Sequence, residues 1–411
     1  MKNSFENFDI IIAGCGPAGM ATAHQLSGFG LKIAILEKEK FPRDKICGDA
    51  LSTDVVNQFI KMDRSLLDDF RESVRHLDSH GVRIVAPNHR QMDTSYFNQN
   101  TSEPAGFLVK RIDFDNYFFQ KIKALDDVHV FENLKVMDIK YDEEGVIITT
   151  SGEKQFQAKM IVGADGANSI VNHLLAKKVE DKYHYCMGLR QYYTNVSGFH
   201  PDNYVELHFY KELLPGYFWI FPLPGNQANV GIGMLANSIR KKKINLQKIM
   251  EELITNHPNL KERFKDATPL EGIQGLRLPM ISKRRPLSGN RFLLAGDAAS
   301  LIDPFTGEGV GNAIRSGRIA AQHLKEVFQH QRFEAAFNRK YDQKIYAMMY
   351  NEAKVSGILQ RIIQYPKMVN LLVNKADKNP AFKTLIESML DNKDPKRELL
   401  KPRFLFKLLF G

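Results

Sequence analysis

Apolar and polar residues alternate with different periods along the chain. Phe8-Asp9-Ile10-Ile11-Ile12-Ala13 is a short β-prone run ending at a glycine, the pattern of a strand covered on both faces. A helical pattern follows from about Ala18 to Phe29, and a second strand-like run covers Lys32 to Glu37. Ala158–Gly166 and Arg291–Asp297 each read as a short apolar strand ending in a Gly/Asp turn, and both are expected to join the first sheet. That domain is therefore predicted to be discontinuous, built from residues 1–75, 105–180 and 275–330. Between its pieces, Tyr204–Tyr210 and Asn229–Met234 alternate in polarity, as antiparallel strands with one covered face do. They assign 76–104 and 181–274 to a second, mainly antiparallel sheet domain. From about Ile314 onward the period is helical with a break at Pro366, so 331–411 is expected to be a helical C-terminal region. The fold class predicted is α/β, α+β overall.

Composition narrows this picture modestly. A chain of 411 residues is too long for one ordinary core, and about two or three domains are expected. With 43% hydrophobic and 25% charged residues it reads as a soluble globular protein. Cys15, Cys47 and Cys186 are odd in number and form no CxxC pair, which argues against a disulfide framework or a zinc site and for a cytoplasmic setting. No apolar run reaches the roughly 18 residues of a membrane span. The net charge of +10 is spread along the chain without helix-turn-helix or zinc-finger spacing, so no nucleic-acid partner is expected. The clusters Arg240–Lys243 and Lys283–Arg285 read as solvated loops.

Candidate chemistry begins at Gly14-Cys15-Gly16-Pro17-Ala18-Gly19, a GxGxxG fingerprint between a strand and a helix. Ile12-Ala13-Gly14-Cys15 also matches a bacterial lipoprotein box. Its flanks oppose export, since Lys2 is outweighed by Glu6 and Asp9 and only Ile10–Ala13 are apolar before Gly14. In the nucleotide reading, Gly14 permits the tight turn, Gly16 admits a pyrophosphate, and Gly19 packs the helix onto the strand, while the helix start at Pro17 and Ala18 offers free N–H donors. Glu37, followed by Lys38, ends the second strand at the spacing where an acid receives ribose hydroxyls, as for FAD or NAD.

Taken together, GxGxxG, Gly163-Ala164-Asp165-Gly166 and Gly296-Asp297-Ala298-Ala299 resemble the flavoproteins built like the aromatic hydroxylases, over about Asp9 to Ala321. The resemblance implies a Rossmann-like FAD-binding domain facing a substrate sheet. It implies that Asp297 bonds the ribityl chain and that Asp165 and Gly166 lie beside the cofactor. Arg111 matches a family arginine near the pyrophosphate, or is a surface arginine at a helix start. Within that superfamily, Asp303-Pro304-Phe305-Thr306-Gly307-Glu308-Gly309-Val310 and Lys45-Ile46-Cys47-Gly48-Asp49 resemble the geranylgeranyl reductase branch, so Pro304, Gly307, Gly309, Val310, Cys47 and Gly48 are assigned to the cofactor site. Cys47 is expected to donate a proton, to line the pocket, or to be a small buried thiol. Ser300 stands where many hydroxylases carry histidine.

Pro215-Gly216-Tyr217-Phe218-Trp219-Ile220-Phe221-Pro222 holds the only tryptophan of the chain. On a strand Tyr217, Trp219 and Phe221 share a face, either as core filling or as a substrate-binding wall. The segment is similar to the Tyr-x-Trp-x-Phe-Pro signature of geranylgeranyl reductases, with one departure: Leu214 stands where the family has Pro or Ala. The resemblance implies an FAD-dependent oxidoreductase that reduces double bonds of a prenyl lipid or quinone side chain, with Tyr217 and Trp219 catalytic and Phe221 and Pro222 binding substrate. The alternatives are a monooxygenase or halogenase acting on an apolar or aromatic substrate, and a flavin-binding protein without turnover. With a single GxGxxG, the electron donor is expected to be transiently bound NAD(P)H or a reduced redox protein. No metal site is expected. The basic and apolar segment 399–411, with Phe404, Phe406 and Phe410, either docks on the protein itself or contacts a membrane surface peripherally.

Overall fold

The computed structural model describes residues 5–95, 106–177, 185–380 and 382–384; segment 399–411 lies outside them. The first sheet runs Ser288–Gly289, Phe292–Leu294, Gln155–Gly163, Glu6–Ala13, Ile33–Leu36, Val128–Phe131. Its central pairings are parallel, with Ile10–Ala13 between Met160–Gly163 and Ile33–Leu36. Ile10, Ile11 and Ile12 are all fully buried, which explains why this strand is apolar at successive positions instead of alternating. A hairpin, Val136–Tyr141 with Val146–Thr150, extends the sheet in antiparallel fashion from Gln155–Gly163.

The first helix spans Pro17–Leu26 and stops before Gly28, whose φ of +79° breaks the helical path short of Phe29. It packs against the long helix Val310–His330 at very close range: a Cβ on Gly317 would lie 2.3 Å from the Ala18 carbonyl oxygen, and the Thr22 hydroxyl donates to the Gly317 carbonyl at 3.2 Å. Only a glycine permits that approach. The helices Ala335–Ile362 and Pro366–Lys378 flank the break expected near Pro366, and the Tyr341 hydroxyl ties the first of them to the Leu294 carbonyl at 2.6 Å.

The second sheet runs Thr268–Pro269, Tyr185–Thr194, Gln227–Leu235, Tyr217–Leu223, Val205–His208, Gly81–Val85, Gln91–Ser95. Gln274–Pro279 also pairs with Tyr185–Thr194, so this sheet continues past residue 274. One face buries Phe218, Ile220, Val230 and Ile232 with Leu246, Met250, Leu253 and Leu260 of the helices Leu246–Asn256 and Pro258–Phe264. Because side chains alternate, Tyr217, Trp219 and Phe221 stand on the other face, away from those helices. Ala50–Leu51, Gly106–Leu108 and Leu77–Ser79 form a third, three-stranded sheet. Among the described residues no helix is long and apolar enough to cross a membrane, and no group of His, Cys, Asp or Glu is arranged to hold a metal ion.

Candidate functional site

At the carboxyl end of the parallel sheet, three stretches distant in sequence converge. Gly14 follows the first strand with φ of +97°, and a Cβ there would lie 2.5 Å from the Ala164 carbonyl oxygen, beside Asp165. Gly19 is equally constrained, its would-be Cβ 2.1 Å from the Gly14 carbonyl oxygen. Gly16 differs: nothing lies within 4 Å of a Cβ built on it. Gly16 also caps the helix that starts at Pro17 without any side-chain cap, so the first amides, at Ala18 and Gly19, have no intrahelical acceptor. Open space, free N–H donors and the positive end of a helix coincide at one point, which suits a pyrophosphate.

Glu37 is buried at the end of its strand, where one carboxylate oxygen accepts the Cys15 amide at 2.8 Å and the other the Glu39 amide at 3.0 Å. The backbone thus holds the acid beside the glycine turn. Cys15 itself is fully buried, and its thiol is raised well above the usual range by that burial and by Glu37. Lys38 points elsewhere: its side chain is 61% exposed and pairs with Glu39 at 3.6 Å.

Arg111 is a buried residue, not a surface arginine. Its guanidinium makes a two-pronged pair with Asp115 at 2.7 and 2.8 Å and also faces the Cys47 thiol. Arg43 grips the same carboxylate at 2.7 Å and reaches the Cys15 carbonyl at 3.4 Å. The two arginines hold the Asp115 carboxyl below the usual carboxylate range despite its burial. Sequence reasoning missed Arg43 and Asp115, although the i,i+4 spacing of Arg111 and Asp115 is the usual helical ion-pair interval.

Asp165 turns one oxygen to the Ile170 amide at 2.7 Å, starting the helix Ile170–Leu175; the other is buried with no partner. Gly166, at φ of +81°, has open space where its Cβ would be. Gly296 brings its backbone against Ala18 and Ala313, and Asp297 follows on the short 3₁₀ turn Gly296–Ala299. The Asp297 carboxylate has no side-chain partner among the described residues, and one of its oxygens lies 3.5 Å from a Cβ placed on Gly309.

The loop before the long helix is tied by Asp303. One of its oxygens accepts the amides of Phe305 and Thr306, both at 2.9 Å, and the other the Ser356 hydroxyl at 2.6 Å. Gly307 is left-handed at φ of +74°, and Gly309 caps Val310–His330 with no side-chain capping bond. The amides of Val310, Gly311 and Asn312 therefore have no intrahelical acceptor. Pro304 is buried in this loop, its carbonyl accepting from the Gln360 amide.

Across the junction stands the aromatic face. Tyr217 and Trp219 have ring centroids 6.1 Å apart, and Trp219 and Phe221 6.2 Å. Trp219 lies over Gly231 of the next strand, where a Cβ would sit 2.1 Å from the indole. The Tyr217 hydroxyl donates to the Thr306 carbonyl at 2.7 Å, and a Cβ on Gly307 would be 3.3 Å from that hydroxyl. At the other end, a Cβ on Gly48 would be 3.0 Å from the Phe221 ring and 4.0 Å from the indole nitrogen. Glycines from two loops of the opposite layer thus bracket the wall. Pro222 alternates onto the helix-covered face, away from it.

Among the described residues, several observations fit this cradle to FAD: the open Gly16 at an uncapped helix start, the Asp165 oxygen without a partner, the Asp297 carboxylate without a side-chain partner, and the uncapped helix start at Gly309–Val310. The FAD binding domain family matches residues 7–345. The chain belongs to that family. It is 29% identical over 353 residues to a digeranylgeranylglycerophospholipid reductase of Thermoplasma acidophilum, covering 83% of each chain. A menaquinone reductase of Mycolicibacterium smegmatis is 29% identical over 323 residues, covering 76% of this chain and 75% of that one. The crystal structure of a geranylgeranyl bacteriochlorophyll reductase-like protein from Thermoplasma acidophilum superposes with a TM-score of 0.79 at 22% identity, over 96% of this chain and 99% of that one. The expectation of an FAD-dependent oxidoreductase similar to geranylgeranyl reductases stands with these findings.

Proposed function

We propose that this FAD-binding protein saturates isolated carbon–carbon double bonds in the prenyl chain of a lipid or quinone. The observation that carries the reading is the bracketing of the aromatic wall: the Cys47–Gly48 and Thr306–Gly307 loops, both on the cofactor side, close on Phe221 and Tyr217 at its two ends. Relatives named for reduction of digeranylgeranyl lipids and of menaquinone support it.

In this reading Gly14, Gly16, Pro17, Ala18 and Gly19 receive the pyrophosphate, Glu37 the ribose hydroxyls, and Asp297 the ribityl chain. Asp165 and Gly166 complete the adenosine side, and the helix start at Gly307–Val310 faces the pyrimidine end of the ring. The domain assignment follows: the parallel-sheet layer binds FAD, and the antiparallel sheet presents the substrate surface. When bound and reduced by NAD(P)H or a redox protein, FAD would supply a hydride to one alkene carbon, and a proton from solvent would complete the other, so that each double bond gains two hydrogen atoms. Tyr217, Trp219 and Phe221 recognise the chain by shape and burial, worth roughly 0.8 kcal/mol per CH₂ removed from water. Their faces stabilise positive charge that develops on the alkene by about 0.5–2 kcal/mol. Tyr217 acts as a fixed wall residue, because burial raises its phenol above the usual range and its proton is committed to the Thr306 carbonyl. Cys47 lines the junction beside Arg111.

The test is to reduce the purified holoprotein without oxygen and add a geranylgeranyl lipid or a polyprenyl quinone. Reoxidation of the flavin by the alkene supports the reading. Reoxidation only by oxygen, with an oxygenated product, replaces it with a monooxygenase, and no reoxidation by any prenyl compound leaves a binding protein.

A further inference from the structure

The indole of Trp219 is held by a buried network that joins the wall to the Cys47–Gly48 loop. The Trp219 N–H donates to the Asn229 carbonyl oxygen at 2.8 Å. The Asn229 amide nitrogen donates to the Cys47 carbonyl at 2.7 Å and to one Asp49 oxygen at 2.8 Å. That Asp49 oxygen also accepts the Tyr192 hydroxyl at 2.6 Å, while the other accepts the Arg111 amide at 3.1 Å. Asp49 and Asn229 are both fully buried, and Asp49 holds a left-handed backbone with φ of +63°. Such a conformation is uncommon outside glycine and is tolerated best by Asn and Asp.

Each contact limits the next. An amide has one accepting and one donating end, so Asn229 offers its oxygen to the indole only while its nitrogen has acceptors. Asp49 and the Cys47 carbonyl are those acceptors. Tyr192 is fixed in turn, with the Arg190 guanidinium 3.9 Å above its ring and Arg190 paired to Asp44 at 2.5 Å. The loop 44–49 is thereby anchored to the sheet through Asp44 and again through Asp49.

We propose that Asp49 and Asn229 are positioning residues for the reaction: Asp49 sets the orientation of the Asn229 amide, and Asn229 sets the plane of the Trp219 indole against the Cys47–Gly48 loop. The catalytic part of this inference rests on the reading of the wall as the prenyl-facing surface; the structural part does not. Both side chains are fully buried behind the wall. Their effect is on the approach geometry of the alkene, where small misplacements cost large factors in rate.

Trp219 is the only tryptophan, so its fluorescence reports this network without interference. The experiment compares the holoprotein with Asp49→Asn, Asn229→Leu and Tyr192→Phe. Emission maximum and energy transfer to the flavin are read without substrate, and flavin reoxidation by a prenyl quinone is read anaerobically. Asp49→Asn suits the left-handed backbone but brings two donors to a site built to accept; Tyr192→Phe removes a single hydroxyl and keeps the ring. The expected result is a shifted emission and altered transfer in the first two variants, smaller in Tyr192→Phe. Reoxidation slows by about tenfold or more, with FAD content and substrate affinity held within about twofold. Unchanged Trp219 emission and transfer in Asp49→Asn and Tyr192→Phe overturns the positioning role, as does a slower reaction that merely tracks loss of FAD. Should wild-type protein fail to be reoxidised by prenyl compounds, the proposed function falls, while the substrate-free fluorescence still decides whether Asp49 orients the indole.

Discussion

At the turn after the first strand the groups that the proposed reading offers to FAD are backbone: amides of Ala18 and Gly19, with glycines where any side chain would collide or intrude. Across the junction, on Tyr217–Leu223, the groups that the proposed reading turns to the substrate are three aromatic side chains, of which Trp219 donates to the Asn229 side-chain oxygen and Tyr217 to the Thr306 carbonyl. The first construction suits a charge and is indifferent to what hangs beyond it. The second suits a shape with few polar atoms. Cofactor binding should therefore fail through steric changes at glycines, and substrate processing through changes that leave the backbone alone.

The largest effects separate glycines within the fingerprint itself. Gly19→Val drives a side chain into the Gly14 carbonyl at 2.1 Å and should yield no folded protein. Gly16→Val meets open space, so the apoprotein should fold with Tm nearly unchanged while FAD affinity falls by about a hundredfold or more, as measured by flavin retention. Equal damage from both would erase the distinction between packing and binding glycines. Next is Trp219→Leu, which keeps the FAD site whole. Anaerobic flavin reoxidation should slow by up to about 30-fold, the loss of about 2 kcal/mol of charge stabilisation, and by more than substrate binding weakens.

A smaller effect tests the polar side of the wall by pH. Burial pushes the Asp49 carboxyl up to about 6. Its contribution to stability is thus present at acidic pH and lost as pH rises through that value, by at most about 3 kcal/mol. Asp49→Asn does not titrate. The Tm of the variant relative to wild type should rise in the variant's favour from about pH 4.5 to about pH 7.5; a flat difference contradicts the burial of this acid. The smallest change is expected of Lys38→Ala, whose exposed ammonium pairs with Glu39 alone among the described residues; FAD affinity should move by less than about twofold.

These contrasts track what was legible in the sequence. Gly14, Gly16 and Gly19 are readable because backbone approach demands glycine at fixed spacing, and Tyr217, Trp219 and Phe221 because period-two alternation puts them on one face. Adjacency alone places Pro222 with them and Lys38 with Glu37, whereas alternation sends Pro222 to the other face and the Lys38 side chain is exposed and paired with Glu39. The network behind the wall was not legible. Asp49 and Asn229 lie 180 positions apart, on different layers, and nothing local marks either as buried and paired. Arg43 and Asp115 were missed for the same reason, since their meeting depends on a loop crossing a helix start.

The most direct test of the account is the mass of the product after anaerobic turnover of the reduced holoprotein with a prenyl quinone or geranylgeranyl lipid. A prenyl reductase yields a product that has gained two hydrogen atoms for each bond reduced, formed without oxygen. A product that appears only in air and carries an added oxygen atom would contradict the proposed function.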